Sequence, residues 1–211
     1  MTNTYITISG IALRYTVRST SESTDSCVIL LPGIPYNPEK EYPFVEDLTS
    51  EQYDTFLIHY NGTWGSTGKF IAYNPKVSVE DFIEALRSGQ ITNTIGERYQ
   101  KIFVIGVSFG GGLALTLSNH ESLKAVCVLS PVISYTTVTG IETLGQYLKD
   151  NLADYYDFEM SDMNALISDN IIAPETQFTL PAEKVLICAG ISDDQIPLSD
   201  IRKFSEKTHL H

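Results

Sequence analysis

The sequence predicts an α/β fold: a mostly parallel sheet entered through an antiparallel hairpin, with helices on both faces. Three observations carry this reading. The first seventeen residues alternate in character around a turn, five later runs are short and wholly apolar, and helical patterns separate those runs. Alternation over Tyr5–Ile8 and Ala12–Val17, broken at Ser9–Gly10, is the mark of two strands joined by a tight turn. Residues 19 to 26 form a polar loop. Beyond it, Cys27–Leu31, Thr55–His59, Ile102–Val107, Ala125–Leu129 and Lys184–Ala189 read as strands covered on both faces, because a strand with one wet face would keep alternating. Ser78, followed by Val79–Glu80–Asp81, offers an N-cap and an acidic first turn to a helix carrying Phe82, Ile83 and Leu86. Leu113, Ala114 and Leu117 place a helix after the third of these runs. Leu198 to Lys207 is helix-like.

One segment departs from the alternation. Residues 141 to 170 carry seven acids (Glu142, Asp150, Asp154, Asp157, Glu159, Asp162 and Asp169) against Lys149 alone, together with Tyr147, Tyr155, Tyr156, Phe158, Met160 and Met163. This composition describes one or two amphipathic helices inserted between core strands. Two readings stand at this point: a solvated excursion over the sheet edge, and a lid over a pocket. The chain is otherwise expected to be one domain over residues 1–211, with residues 136–178 as the lid-like insertion.

Composition narrows the function. The 211 residues hold 26 acidic and 14 basic side chains, a formal charge of −12, with 43% hydrophobic residues. Nucleic acids and anionic membrane surfaces are bound chiefly through Lys and Arg, so neither is expected as a partner. No apolar run approaches the ~20 residues of a membrane-spanning helix, and residues 1–15 have neither the basic nor the apolar region of a secretory signal. Cys27, Cys127 and Cys188 lie inside apolar runs without metal-ligand spacing; buried reduced thiols and a cytoplasmic setting are expected. No glycine fingerprint follows the first strand and no P-loop lysine follows the glycines, so no cofactor and no metal are expected.

The chemistry concentrates at Gly106–Val107–Ser108–Phe109–Gly110–Gly111–Gly112, where an apolar run ends and a helix begins. This is a Gly-x-Ser-x-Gly nucleophile elbow. A serine on so sharp a turn crowds the positions two residues either side, which Gly106 and Gly110 relieve. The helix start behind Ser108 leaves the Phe109 N–H free to face a developing oxyanion.

With these residues the chain resembles the α/β-hydrolase superfamily from the N-terminal hairpin to about Phe204. Leu30–Leu31–Pro32–Gly33–Ile34–Pro35 is similar to the His-Gly-x-Pro stretch after the superfamily's third strand, with Pro32 in place of the common histidine; the resemblance implies that the Ile34 N–H is the second oxyanion donor. Tyr60 to Gly68 is similar to the Gly-x-Gly-x-Ser-x-Gly loop beside the pocket, which makes Trp64 a candidate lining residue. Gly190–Ile191–Ser192–Asp193–Asp194–Gln195–Ile196–Pro197 is similar to the run that carries the catalytic acid, with Asp193 at the matching position and Asp194 as the neighbouring alternative.

The histidine is harder to place. His59 and His120 precede the acid, and the order serine, acid, histidine leaves His209 and His211. The resemblance implies a further core strand, with the histidine in the loop after it. Thr208–Leu210 reads as the start of that strand, so the histidine is expected beyond residue 211, with His209 the candidate within the chain. The resulting expectation is a serine hydrolase that transfers the acyl group of a small ester to Ser108, with Met160 and Met163 in an adaptable apolar pocket. An acyltransferase, thioesterase or peptidase would use the same machinery, and a binding relative would keep only the pocket. Oligomeric state is not encoded.

Overall fold

The computed structural model describes residues 2–8, 10–20, 22–40, 42–169, 173–174 and 181–209. Its seven strands are β1 (Thr2–Ile8), β2 (Ile11–Arg18), β3 (Ser26–Leu31), β4 (Asp54–Ile58), β5 (Lys101–Val107), β6 (Leu123–Leu129) and β7 (Val185–Cys188). They form one sheet in the order β1-β2-β4-β3-β5-β6-β7. The pairs β1–β2 and β2–β4 are antiparallel, and every pair from β4 to β7 is parallel. All five apolar runs are therefore strands.

The helices are α1 (Phe44–Ser50), α2 (Pro75–Ser88), α3 (Phe109–Leu117), α4 (Ile141–Asn151), α5 (Met160–Asp169) and α6 (Leu198–Thr208). Helix α2 begins one turn before the expected Ser78 cap. Asn74 is the N-cap, its side chain accepting from Lys76 N at 2.9 Å, and Pro75 fills the first helical position, where a missing N–H costs nothing. Gly89, in the left-handed region at φ 84°, ends it. The two-turn helix α1 is not announced by the sequence, since only Val45 and Leu48 recur at helical spacing. The expectation of a strand from Thr208 is also corrected: Thr208 closes α6, its hydroxyl donating to Phe204 O at 2.7 Å.

The main core joins one face of the sheet to α2, α3 and α6 through residues such as Phe56, Phe82, Leu113, Ile201 and Phe204. On the other face α1 packs Val45 against Val28 and Leu30. Beyond α1, Phe103, Ile105, Ala125, Cys127 and Leu186 line an open groove of about 370 Å³. The cysteine expectation changes here. Cys27 is buried, but Cys127 is only half-buried and Cys188 is exposed, because β7 is the sheet edge and its alternate side chains face this groove. Among the described residues no helix is long and apolar enough to cross a membrane, and no group of three or more His, Cys, Asp and Glu is placed to hold a metal ion.

Helices α4 and α5 form the excursion between β6 and β7. Residues 170–172 and 175–178 of the expected insertion lie outside the described residues. The link between the two helices is stitched to the loop after β4: Trp64 N donates to Tyr155 O at 2.9 Å, Asp157 N to Gly62 O at 2.8 Å, and Phe70 N to Asp157 O at 2.7 Å. Gly62 is required at this crossing, since it has φ 69° and a Cβ there would stand 2.3 Å from Phe70 N.

Candidate active site

The chain leaves β3 for β4 on one side and returns to β5 on the other, so the strand order reverses between β3 and β5, whose ends pair at Leu31 and Gly106. Crevices beyond the carboxyl ends of strands at such a reversal are where open α/β sheets bind ligands. Ser108 sits there.

Its backbone, at φ 53° and ψ −114°, lies in a region that L-residues rarely occupy. Three bonds hold it: Ser108 N donates to Leu129 O, and Ser108 O accepts from Gly112 N and Val132 N, each at 3.0 Å. The flanking glycines are sterically obligatory. A Cβ on Gly106 would stand 2.3 Å from Gly110 O, and one on Gly110 would stand 2.1 Å from Leu31 O. Gly33 fits against the other side of the serine, where its added Cβ would meet Ser108 Cβ at 3.1 Å.

Ile34 and Phe109 border the same cavity as Ser108. Among the described residues, neither backbone N–H has an acceptor. Two free donors next to a serine hydroxyl, one of them at the start of α3, can stabilise negative charge as it develops on an acyl oxygen.

Asp193 lies in the loop after β7. Its carboxylate accepts from Ile196 N at 2.9 Å and Gln195 N at 3.0 Å. The Ile196 bond, together with the Ser130 hydroxyl and the Gln195 bond, holds the acid below its ordinary range. Ser130, just past β6 and itself at φ 42°, ties this loop to the neighbouring strand: its N donates to Cys188 O at 2.7 Å and its hydroxyl accepts from Gly190 N at 3.4 Å. Asp194 is exposed. The Asp193 geometry is that of a fixed, ionised acceptor.

Above Ser108 lies a cavity of about 200 Å³. Phe70, Phe109, Val132 and Tyr135 form its floor; Ile141, Leu144 and Tyr147 from α4 and Met163 and Leu166 from α5 form its cover, with Gln195 and Ile196 at one side. Among the described residues no Lys or Arg lines it. Its floor rings pack tilted, Phe109 lying 5.8 Å from Phe70 and 6.2 Å from Tyr135.

Solved structures share this arrangement of elements over nearly the whole chain. The esterase Pf2001 of Pyrococcus furiosus matches with a TM-score of 0.70 at 19% identity, covering 99% of this chain and 78% of that one. An alpha/beta hydrolase, GrgF from Penicillium sp. sh18, matches at 0.67 and 14%, covering 98% and 86%. The chain has the α/β-hydrolase fold. Est1E from Butyrivibrio proteoclasticus, solved with ferulic acid, gives a TM-score of 0.66 at 18% identity, covering 97% of this chain and 85% of its own. No family profile and no curated protein matches the sequence.

Within this α/β-hydrolase fold, the structure draws Ser108, Ile34, Phe109 and Met163 to one cavity, sets Asp193 in the loop that carries the lining residues Gln195 and Ile196 without lining the cavity itself, and leaves three predicted residues elsewhere. His209 caps the far end of α6, exposed and left-handed at φ 58°. Eleven helical residues, roughly 16 Å along the axis, separate it from the Ile196 end of the helix. The candidacy of His209 is thereby corrected, because α6 continues through Thr208 and carries that residue away from the Ile196 side of the cavity. His211 lies outside the described residues. Trp64 does not line the cavity: its backbone bond to Tyr155 turns the indole onto that ring, 4.1 Å between centroids. Met160 packs against Gly145, where α4 and α5 meet, instead of facing Ser108.

Neither of the other described histidines approaches the serine. His120 follows α3 at its far end, with Nδ1 accepting from Ser122 N at 3.2 Å and Nε2 3.7 Å from Glu84. His59 is wholly buried, bound to Thr16 and Tyr36. The sequence reading also misses Ser130 and the floor residues Val132 and Tyr135. Their one signal is position: all lie just past the carboxyl end of β6, beside the elbow strand.

Proposed function

We propose that the chain is a serine-dependent hydrolase of small, neutral carboxylic esters that carries the acyl group on Ser108 Oγ. The observation that carries this reading is the strained serine beside two free amides at the floor of an apolar cavity. The serine oxygen attacks the ester carbonyl, the carbonyl oxygen takes the negative charge between the Ile34 and Phe109 amides, and the alcohol leaves with a proton. Water then cleaves the acyl-serine, releasing acid and restoring the hydroxyl. Asp193 is the acid that would orient and stabilise an imidazolium in such a cycle. Three structural neighbours support the ester class, being named as an esterase, a ferulic acid-bound Est1E and a monoglyceride lipase.

Neutral esters follow from the lining. About 200 Å³ is below the ~300–1,000 Å³ of sites for drug-sized ligands, and no cation in it would hold a carboxylate or phosphate. The acids of α4 and α5 disfavour anionic carriers further.

The test is intact-mass spectrometry of the 211-residue protein after treatment with an alkyl fluorophosphonate. One adduct per chain, absent in Ser108→Ala, is expected. With no described imidazole in reach, labelling should run at least ~10³-fold slower than in a complete triad, driven by the amides alone. A second reading, a binding protein that retains the cavity, is favoured by the positions of His59, His120 and His209. An unlabelled serine in a chain that still binds a non-hydrolysable ether analogue would select it.

A further inference from the structure

Ile34 owes its place to a short loop, Pro32 to Tyr36, that crosses the mouth of β3 without secondary structure. One end is fixed by Gly33 against Ser108 and by Tyr60, whose hydroxyl donates to Pro32 O at 2.9 Å. The other end is fixed at Tyr36, two residues past Ile34. Tyr36 N donates to the Tyr156 hydroxyl at 3.3 Å, and the Tyr36 hydroxyl lies 2.9 Å from His59 Nδ1 and 3.3 Å from Thr63 Oγ1. His59 Nε2 is 3.0 Å from Thr16 Oγ1, which donates to Asn3 Oδ1 at 2.8 Å.

These contacts order the protons. The Thr16 hydroxyl gives its hydrogen to Asn3, so it accepts from His59 Nε2–H. The neutral ring then presents Nδ1 as an acceptor to the Tyr36 O–H. Every polar atom of the His59 ring is satisfied although the residue is 0% exposed. A buried imidazole with both nitrogens engaged and no route to Ser108 serves no proton transfer there. What it does fix is the residue that ends the oxyanion loop.

We propose that Tyr36 and His59 are positioning residues for the Ile34 amide, holding the loop so that this N–H points into the cavity beside Ser108. The role rests on the serine-hydrolase reading, but the placement of the amide can be measured without catalysis.

The experiment uses the full chain with Tyr36→Phe, His59→Gln, His59→Leu and Ser108→Ala. The first readout is the ¹⁵N order parameter of the Ile34 N–H. It is expected near ~0.85 in the parent and in Ser108→Ala, and below ~0.6 in Tyr36→Phe. The second is the alkyl fluorophosphonate labelling rate. In Tyr36→Phe the limiting rate should fall about tenfold or more, within the ~10²–10³ ceiling for losing one oxyanion donor, with the half-saturating concentration unchanged. Gln offers one acceptor and one donor, so His59→Gln should retain most of the rate. His59→Leu should match Tyr36→Phe, and combining the two should add nothing. An Ile34 order parameter unchanged in folded Tyr36→Phe overturns the positioning role. Tyr36→Phe removes only a hydroxyl, so it carries the test if His59→Leu does not fold. Labelling that survives Ser108→Ala removes the serine reading instead and leaves the order-parameter result standing.

Discussion

His59 is a titratable side chain committed to structure, and that has a sign. Burial first, and the nearby Arg14 guanidinium second, lower its pKa from 6.5 to about 3. The unfolded chain therefore binds a proton between those values that the folded chain refuses. Stability from His59 is complete above about pH 6.5 and is lost as the pH falls towards 3. Urea unfolding should show roughly 3 kcal/mol of this loss by pH 4.5, and His59→Gln should flatten that part of the profile. Gly62 makes a second residue-scale prediction. Its positive φ and the close Phe70 N leave no room for a methyl group, so Gly62→Ala should cost at least about 2 kcal/mol, read as a lower thermal midpoint. The sequence shows Gly62 as one glycine of a loop motif and His59 as a strand-end histidine. It does not show that both serve contacts made by residues nearly a hundred positions later and more than twenty earlier, because such contacts leave no local pattern.

Among the elements, strands were the most legible. Each apolar run of the parallel sheet is a strand, since burial on both faces writes itself into every position. Helix α1 was not legible, with one fully buried residue and two turns. The start of α2 was misplaced because Ser78 and Asn74 are both capping residues, and Pro75, which decides between them, fits only a helix capped by Asn74. In the excursion, the acids and aromatics named amphipathic helices, but not which methionine reaches the cavity; both Met160 and Met163 pack on Gly145 of α4, and only Met163, one turn on, also lines the cavity. The cover therefore sets the depth of the cavity over Ser108, and on the proposed function the acyl chain it admits. Met163→Ala should enlarge the cavity and shift preference from two-carbon to longer p-nitrophenyl acyl esters by several-fold in relative labelling or turnover, whereas Met160→Ala should leave that preference unchanged and lower stability.

For the molecule as a whole, the positions of Ser108 and Asp193 past their strand ends were readable because each follows a strand with a fixed spacing. The place of His209 was not, since it depends on where α6 stops, which no motif encodes. The open face is a second property of the whole. Leu186 is 59% exposed on the edge strand beside Phe103, Ile105 and Cys127, with Glu183 and Lys184 at the groove's border and a formal −12 charge on the chain to oppose contact between copies. The parent should enhance the fluorescence of a hydrophobic dye in the folded state, more so at high salt, and Leu186→Lys should reduce the signal with little change in stability.

The stitch between the cover and the loop after β4 has a thermal consequence. Three backbone hydrogen bonds and the Trp64–Tyr155 stack join the middle of the excursion to the body, not merely its ends. Unfolding of α4 and α5 must then break the same bonds that hold Gly62 and Phe70 in the main core. The cover has no melting of its own: scanning calorimetry should record a single heat-absorption peak whose calorimetric and van't Hoff enthalpies agree, where a cover hinged only at its ends would add a shoulder at lower temperature.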